Sequence, residues 1–355
     1  MKVLLGMSGG VDSSAAAILL QDQGYEVIGA SIQFYSSTDS AFFNSNLDKN
    51  IEHATLISKL IGIEHIVIDA QLEFKDIVLN YFTSEYLKAR TPFPCVICNR
   101  EVKWPILFKK MKELGCDYIS TGHYVNVMDN NGKYYIVQGK DDDKDQSFFL
   151  WPLGQDILKR AVFPLANCKK TEVKKLVGNY ITDISEKKES TGICFLKSSD
   201  YRPFLKSFIK ENSIQIEKGK FFNENADFLG EHEGYPFYTI GQRRGLNLKE
   251  NKKPLFVKQI ETNNNSIILT NKKSLNKTVL WVKDYQIVDK NDFNAKVKVK
   301  IRYRKQENLG MVEFVDEKTL KVKLIEPVDS VAPGQTAVFY EGSKLLGGGF
   351  IDRSE

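Results

Sequence analysis

Hydrophobic and polar positions divide the chain into three regimes. Over roughly the first 125 residues, short apolar runs at Val3–Leu5, Val27–Ile32, His65–Ile68 and Tyr118–Ser120 alternate with stretches of helical composition at Ser14–Asp22, Ile51–Leu60, Phe74–Tyr86 and Trp104–Leu114. Brief apolar runs spaced by helices read as buried strands, so this region predicts an α/β domain built on a doubly wound parallel sheet. Helices are expected to carry that domain to about Asp200. Residues 201–277 mix one helix, Pro203–Glu211, with short strands and glycine-containing turns, which suits a small connecting α+β domain. From 278 to 355 the pattern is all-β, with short alternating runs broken by polar and Ala-Pro-Gly turns, and a small β-barrel is expected.

The turn after the first strand carries the densest chemistry: Gly6-Met7-Ser8-Gly9-Gly10-Val11-Asp12-Ser13-Ser14. Gly9 and Gly10 permit positive φ and close backbone approach. The amides of a helix start, the helix dipole and the hydroxyls of Ser8, Ser13 and Ser14 together suit an anion such as phosphate or pyrophosphate. An ordinary βα turn uses the same residue types. The concentration of glycines, hydroxyls and an acid at the end of the first strand, where open α/β sheets bind ligands, favours a ligand site. No Gly-Lys-Ser/Thr closes the turn and no Gly-x-Gly-x-x-Gly is present, so it is neither a mononucleotide P-loop nor a dinucleotide fingerprint.

Composition narrows the class. At 355 residues with 42% hydrophobic positions, the chain has enough material for two or three cores. No apolar run approaches the roughly 20 residues of a membrane span, and a single Lys precedes the glycine-rich turn, so a cytoplasmic protein is expected. The net charge of +5 is too small to define a nucleic-acid binder by itself, so any such surface must come from local clustering. Five cysteines, an odd number, argue against a disulfide framework.

Cys95 and Cys98 form a C-x-x-C pair inside Arg90-Thr-Pro-Phe-Pro-Cys-Val-Ile-Cys-Asn-Arg-Glu-Val-Lys103. The prolines make the approach rigid, and a helix expected over Arg100–Met111 places Cys98 near a helix start, where a thiolate is favoured. Cys194 lies far along, in Glu189-Ser-Thr-Gly-Ile-Cys194-Phe195. A structural zinc site would want a second pair or a nearby histidine, and neither is present. Cys116 and Cys168 sit among core-like residues and read as inert packing thiols. For Cys95, Cys98 and Cys194, redox or sulfur chemistry is the better reading. His53, His65 and His232 read as surface or packing residues.

The Ser-Gly-Gly-x-Asp-Ser order resembles the pyrophosphate-binding loop of the ATP pyrophosphatases, which cleave ATP between the α- and β-phosphates and adenylate an oxygen of the substrate. A wider set of motifs follows in order: Thr91-Pro-Phe-Pro-Cys-Val-Ile-Cys98-Asn, Ser120-Thr-Gly-His123-Tyr, Lys144-Asp-Gln-Ser-Phe-Phe-Leu150, Ser190-Thr-Gly-Ile-Cys194-Phe and Tyr238-Thr-Ile-Gly-Gln-Arg-Arg-Gly245. With these the chain is similar, over nearly its whole length, to the bacterial tRNA-specific 2-thiouridylases.

That resemblance implies an enzyme that uses ATP and Mg²⁺ to adenylate O2 of the wobble uridine in glutamate, glutamine and lysine tRNAs. A cysteine persulfide then delivers sulfur to the activated carbon and AMP leaves. Residue by residue, it implies ATP contacts from Gly6, Met7, Ser8, Gly9, Gly10, Val11, Asp12, Ser13, Ile32 and Gly122, with Asp12 helping to place Mg²⁺. Phe93, Pro94 and Cys95 would meet the target base. Cys194 would carry the persulfide, with Cys98 as second catalytic thiol, either attacking that persulfide to release sulfide to the base or forming a disulfide with Cys194 as sulfur departs. His123, Lys144, Asp145, Gln146, Arg302, Tyr303 and Gln335 would contact tRNA, and a polar segment between Tyr35 and Asn50 would form a loop over the nucleotide.

Cys95 stands where some members of the family carry Asp, so acid–base work at that position is not transferable to the thiol. Three cysteines also admit a second route. Cys95, Cys98 and Cys194 would hold three irons of a [4Fe–4S] cluster and the fourth iron would bind the transferred sulfide. The persulfide route is preferred. Sulfur would come from a cysteine desulfurase directly or through a relay protein. Taken by itself, His123 equally suits a histidine capping a strand, and Lys144-Asp145-Gln146 reads as the end of a solvated acidic loop.

In the last region, Lys296, Lys298, Lys300, Arg302 and Arg304 alternate with Val297, Val299, Ile301 and Tyr303. Period two would place five cations on one face of a strand, a row of roughly 26 Å at about 3.3 Å per residue. A charged outer face could simply keep a half-buried strand in solution, but five like charges repel, and RNA contact is the preferred reading. Gln242-Arg243-Arg244-Gly245 offers further guanidinium groups for phosphates. An amide-forming ATP pyrophosphatase, or a nucleotide sensor without chemistry, would share the glycine-rich turn but has no use for three loop thiols. A second tRNA-thiolating branch normally brings its own RNA-binding domain and lacks this barrel.

Overall fold

The structure, a computed structural model, describes residues 1–36, 42–44, 46–180, 192–248, 254–304 and 307–355. In chain order it begins with β1 (Lys2–Gly6), α1 (Val11–Asp22), β2 (Glu26–Gln33), α2 (Asn46–Ile61) and β3 (Glu64–Asp69). Next come α3 (Gln71–Glu73), a π-helical stretch (Phe74–Leu79), α4 (Asn80–Leu87), α5 (Pro94–Ile97), a second π-helical stretch (Cys98–Lys103) and α6 (Trp104–Glu113). β4 (Tyr118–Thr121), β5 (Val125–Asn130), β6 (Lys133–Gln138), α7 (Gln155–Leu158), β7 (Ala161–Val162) and α8 (Lys170–Gly178) complete the first 180 residues.

Two compact units emerge. The first joins Met1–Leu79, Pro94–Ser199 and Tyr340–Gly347; the second joins Asn80–Phe93, Asp200–Phe339 and Gly348–Glu355. The first is organised by a five-stranded sheet in the order β3-β2-β1-β4-β7. Every neighbouring pair in it is parallel, as in Val3 opposite both Val27 and Tyr118. The chain leaves β1 toward β2 on one side and returns to β4 on the other. The β1/β4 edge is therefore the topological switch point, where a crevice opens beyond the strand ends.

α1 is apolar nearly all round because protein covers it on all sides. Ala15, Ala16, Ala17 and Leu20 are fully buried in one core with Val3, Leu5, Ile57, Leu165, Val173 and Val177. Two glycines let the backbone close on the switch point. Gly9 has φ +66°, and a Cβ there would lie 1.8 Å from the Asn50 carbonyl oxygen. A Cβ on Gly122 would lie 2.8 Å from the Asp12 carbonyl carbon and the Ser13 nitrogen.

The second unit contains α4, the helix α9 (Arg202–Glu211) and a four-stranded sheet ordered β10-β11-β8-β9, from β8 (Gly219–Asn223), β9 (Phe228–His232), β10 (Phe256–Glu261) and β11 (Ser266–Thr270). The last six strands are β12 (Lys277–Ile287), β13 (Val297–Lys300), β14 (Asn308–Phe314), β15 (Thr319–Val328), β16 (Thr336–Glu341) and β17 (Lys344–Ser354). They run β12-β15-β14-β13-β16-β17, and a β12–β17 pairing closes them into an antiparallel barrel. The α/β sheet and the C-terminal barrel agree with the expected fold class.

Several expectations are corrected. α1 starts at Val11 rather than Ser14, so the glycine turn is shorter and Asp12 lies in the first helical turn. α2 starts at Asn46, which takes the end of the presumed Tyr35–Asn50 loop into a helix; residues 37–41 and 45 of that loop lie outside the described residues. The hairpin β5–β6 replaces the helices expected after β4, and it turns on Asn131 and Gly132, both at positive φ. The basic strand ends at Lys300, and Ile301–Arg304 bend away from ladder geometry, so the row of five does not lie on one strand.

Replacing Gly122 by Ala forces a methyl against the start of α1. We expect a loss of about 1–3 kcal/mol in urea unfolding, with the shift confined to the first unit's transition.

Candidate functional site

At the end of β1 the chain turns through Met7–Gly10 and enters α1 with Gly10 as N-cap and no side chain capping the helix. The first amides of α1 are thus left for a ligand, and the helix dipole adds positive potential at the same place. The hydroxyls are less available than the sequence suggests. Ser14 Oγ donates to the Gly10 carbonyl at 2.9 Å and is fully buried, and Ser13 Oγ donates to the same carbonyl at 3.1 Å while accepting from Ser8 N at 3.1 Å. Ser13 and Ser14 therefore brace the turn, and Ser8 is the exposed hydroxyl. Ile32 lies at the C-terminal end of β2, beside this edge of the sheet.

Asp12 holds a defined network. Its Oδ1 accepts from Tyr124 OH at 2.7 Å and from Lys170 Nζ at 2.6 Å. Burial, reinforced by the Asp12 carboxylate, raises the Tyr124 phenol pKa, so Tyr124 keeps its proton and donates. No group of three His, Cys, Asp or Glu side chains among the described residues is arranged to hold a metal ion. A single carboxylate beside uncapped helix amides nonetheless fits Mg²⁺, which is commonly held by one or two carboxylates with substrate phosphates and water.

A second group of side chains gathers sulfur. All five cysteines are free thiols. Cys194 raises the pKa of both Cys95 and Cys98, Cys95 adds to the rise at Cys98, and all three lie within the field of Lys103. The structure thus brings Cys194 to the Cys-x-x-Cys pair across nearly a hundred residues of sequence. Cys98 is not at a helix N-terminus as expected: α5, the π-helical stretch and α6 run on without a break, and Cys98 lies inside them. Burial raises its pKa, and Lys103 and a hydrogen bond from the Lys103 backbone only partly oppose that rise. Burial pushes Cys95 up to about 12, and it raises Cys194 as well. Cys194 is exposed as a residue, yet protein crowds its sulfur closely enough for desolvation to dominate. All three are neutral thiols at rest, the reverse of the activated thiolate expected at Cys98.

Cys194 is held from its backbone. Its carbonyl accepts from Tyr35 OH at 3.2 Å and Asn44 Nδ2 at 3.3 Å, and Phe43 pairs with Leu196 in an antiparallel bridge. Phe195 is buried against Phe43 and Phe74. Residues Glu189–Thr191 of this motif lie outside the described residues.

His123 links the cluster to the sheet edge. A lysine amine donates, so His123 Nε2 accepts from Lys103 Nζ at 3.3 Å, which puts the ring proton on Nδ1, facing Thr121 Oγ1 at 2.6 Å. Burial, then Lys103, lowers the His123 pKa well below the ordinary histidine value, and the ring stacks on Trp104. Both ring nitrogens have protein partners, so His123 positions Lys103 and offers RNA no polar atom. Burial lowers Lys103 itself, with the three thiols opposing that shift. The next residue is Tyr124, on Asp12. Two consecutive residues after Gly122 therefore serve the two halves of the site.

The remaining candidates scatter. Phe93 and Cys95 are half-buried and Pro94 is buried. Asp145 is buried; its carboxylate accepts from Ser147 N and Oγ and from Gln138 Nε2. Gln146 Oε1 accepts from Tyr124 N. Both side chains brace the local fold through these bonds, and Lys144 beside them is half-buried. In the second unit, Gln335 Nε2 donates to the carbonyls of Thr91 and Pro92, which fixes the turn before Phe93. Arg302 pairs with Asp329 at 2.8 Å, and Lys298 and Lys300 both reach Glu307. Tyr303 is half-buried and Arg304 exposed on the same bend. Sequence reasoning missed Lys103, Thr121, Tyr124 and Lys170. The first three lie inside the stretches quoted around Cys98 and His123, while Lys170 lies in a basic run with no signal at all.

With neutral thiols, native Cys95 and Cys98 should react with iodoacetamide at pH 7.5 at least roughly ten-fold more slowly than a solvent-exposed thiol. Lys103→Met should slow Cys98 further, because its cation favours the thiolate. Peptide mapping after timed alkylation reads both; equal rates would contradict the burial argument.

Three family models tile the chain: a tRNA methyl transferase HUP domain over residues 1–198, a tRNA methyl transferase PRC-barrel domain over 206–271, and an aminomethyltransferase beta-barrel domain over 272–351. Among curated relatives, tRNA-specific 2-thiouridylase MnmA 1 of Bacteroides fragilis is 44% identical, covering 100% of this chain and 98% of that protein. MnmA 2 of Phocaeicola vulgatus is 43% identical, covering 99% and 97%. MnmA of Cytophaga hutchinsonii is 39% identical, covering 99% and 98%. With that identity sustained end to end, the protein belongs to the tRNA-specific 2-thiouridylase family.

Proposed function

We propose that this chain is a tRNA-uridine 2-sulfurtransferase. It activates O2 of the wobble uridine in glutamate, glutamine and lysine tRNAs with ATP and replaces that oxygen with sulfur, giving 2-thiouridine, AMP and pyrophosphate. One observation carries the reading: Cys98 and Cys194 share the Lys103 environment beside a β4 end whose next residues contact Asp12 at the phosphate-binding turn.

Uracil O2 is a poor leaving group, and bonding it to the α-phosphorus makes it a good one. The turn Gly6–Ser13 and Gly122 hold the triphosphate so that pyrophosphate departs against the amides of α1. Asp12 is the residue that would hold Mg²⁺, which supplies charge neutralisation at the phosphates. Phe93, Pro94 and Cys95 line the approach of the base. Cys194, loaded as a persulfide by a cysteine desulfurase or a relay protein, attacks C2 with its terminal sulfur. Cys98 then attacks the Cys194 sulfur. The S–S bond breaks with its electron pair on the transferred sulfur, a Cys98–Cys194 disulfide remains, and AMP leaves from C2. A thiol reductant restores both cysteines. Lys103 stabilises whichever sulfur is anionic, which matters because each starts as a neutral thiol.

Arg302, Tyr303 and Lys144 are the residues best placed to meet tRNA, with Arg243 and Arg244 exposed in the second unit. Lys298, Lys300 and Arg302 already hold carboxylates, so RNA binding here exchanges partners rather than neutralising bare charge. The cysteines are not grouped as metal ligands, so no step is assigned to an iron–sulfur cluster. No described helix is long and apolar enough to cross a membrane.

Incubating the protein with ATP, Mg²⁺, tRNA, a thiol reductant and a persulfide source (a cysteine desulfurase with free cysteine), then measuring the anticodon by mass spectrometry, tests the assignment: a gain of sulfur for oxygen at the wobble uridine is expected, and an unmodified anticodon refutes it. Cys98→Ser and Cys194→Ser should each abolish thiolation with persulfide donors while tRNA-dependent pyrophosphate release persists. Arg302→Ala should weaken tRNA binding and reduce its salt slope by about one, read by filter binding between low and physiological salt.

A further inference from the structure

Lys170 is the first residue of α8, and its position is over-determined. Lys169 N donates to Glu172 Oε2 at 2.7 Å, closing a capping box, and Lys170 N donates to Asp141 Oδ2 at 2.8 Å. Behind it, Val173 and Val177 pack into the core that holds α1. The backbone is thereby fixed while the four-carbon stem runs buried to the mouth of α1, with its side chain only 10% exposed. There Nζ meets Asp12 Oδ1 at 2.6 Å.

A lysine buried in this way is an unfavourable structural choice. Desolvating an ammonium offsets most of what one ion pair returns, and a tighter core could be built from apolar residues. The site supplies a reason. Its phosphate-binding turn offers amides and a hydroxyl but no cation of its own, while Asp12 places a carboxylate where a polyanion must sit. Tyr124 OH bonds the same Asp12 oxygen independently, so Asp12 stays hydrogen-bonded when Lys170 moves away. Lysine, a compact charge on a flexible stem, suits such an exchange better than arginine would.

We infer that Lys170 is a phosphate-binding residue of the ATP site: it pairs with Asp12 in the nucleotide-free protein and swings to the β- and γ-phosphate oxygens when nucleotide binds, freeing Asp12 for a divalent cation. This rests on the ATP reading above. The move costs little, because the ammonium trades one anionic oxygen for another and never faces the protein interior uncompensated. It also makes triphosphate binding and divalent-cation binding mutually reinforcing, since each removes one member of the ion pair.

The test is calorimetric binding of an ATP analogue with a methylene bridge between the α- and β-phosphates, and of AMP, with and without Mg²⁺, to the full chain. Lys170→Met should bind the analogue at least ten-fold more weakly than the unaltered protein while binding AMP within about two-fold, because AMP lacks the phosphates Lys170 reaches. Lys170→Arg should recover part of the loss. Asp12→Asn, which removes the carboxylate charge that Lys170 pairs with, should bind the analogue without Mg²⁺ at least as tightly as the unaltered protein does and lose most of the Mg²⁺ enhancement. Unchanged analogue binding by Lys170→Met overturns the inference, as does an equal loss of AMP binding, which marks a purely structural role. Should Lys170→Met fail to fold, weakened Mg²⁺-free binding by Asp12→Asn overturns it instead. If the unaltered protein binds neither analogue nor AMP, the ATP reading itself fails.

Discussion

The rest of the site depends on how closely β4 can approach the start of α1. Gly122 has no side chain, and any Cβ there would collide with the Asp12–Ser13 peptide. That contact delivers the next two residues to opposite tasks: His123 to Lys103 and the sulfurs, Tyr124 to Asp12 and Lys170. Successive Cα atoms are only about 3.8 Å apart, so one short length of backbone ties the Asp12 network to the Lys103 network. A larger residue would separate the two halves or push the helix start out of register with the crevice at the switch point.

Burial sets the chemical temperament of this site. A protein that needs a sulfur nucleophile could expose a thiol at a helix N-terminus and keep it ionised. Here Cys95, Cys98 and Cys194 are each raised by desolvation, with one buried amine among them. Such thiols are slow to react with stray electrophiles and oxidants. Their reactivity waits on a change in the local charge, and a substrate arriving next to Lys103 would bring one. The π-helical turn that begins at Cys98 fits this role, since the widened turn re-aims side chains that regular helix geometry would send elsewhere.

The sequence made the sheet legible because β1 to β4 are brief apolar runs with helices between them, a pattern with few alternative readings. The barrel was legible from its turns. Other features were hidden for identifiable reasons. The β5–β6 hairpin carried its signal in Asn131-Gly132, but its strands are half polar and resemble a solvated segment. Cys98 looked like a helix start because prolines precede it, yet Pro94 sits at the first position of α5, where proline is tolerated, and the helix simply continues. Asp145, Gln146 and His123 also hydrogen-bond within the protein, through Ser147 and Gln138, Tyr124, and Lys103 and Thr121 respectively, contacts that no spacing reveals. Lys170 was invisible because its partner lies 158 positions away.

The carboxylates along the barrel have an effect of their own. Lys298 and Lys300 share Glu307, and Arg302 leans on Asp329, whose acid is held below its usual range chiefly by that guanidinium. A surface wired this way presents little net attraction to a random polyanion drifting past. Any polyanion docking on it must first unseat Glu307 and Asp329, a cost that only simultaneous contact with the three cations would offset.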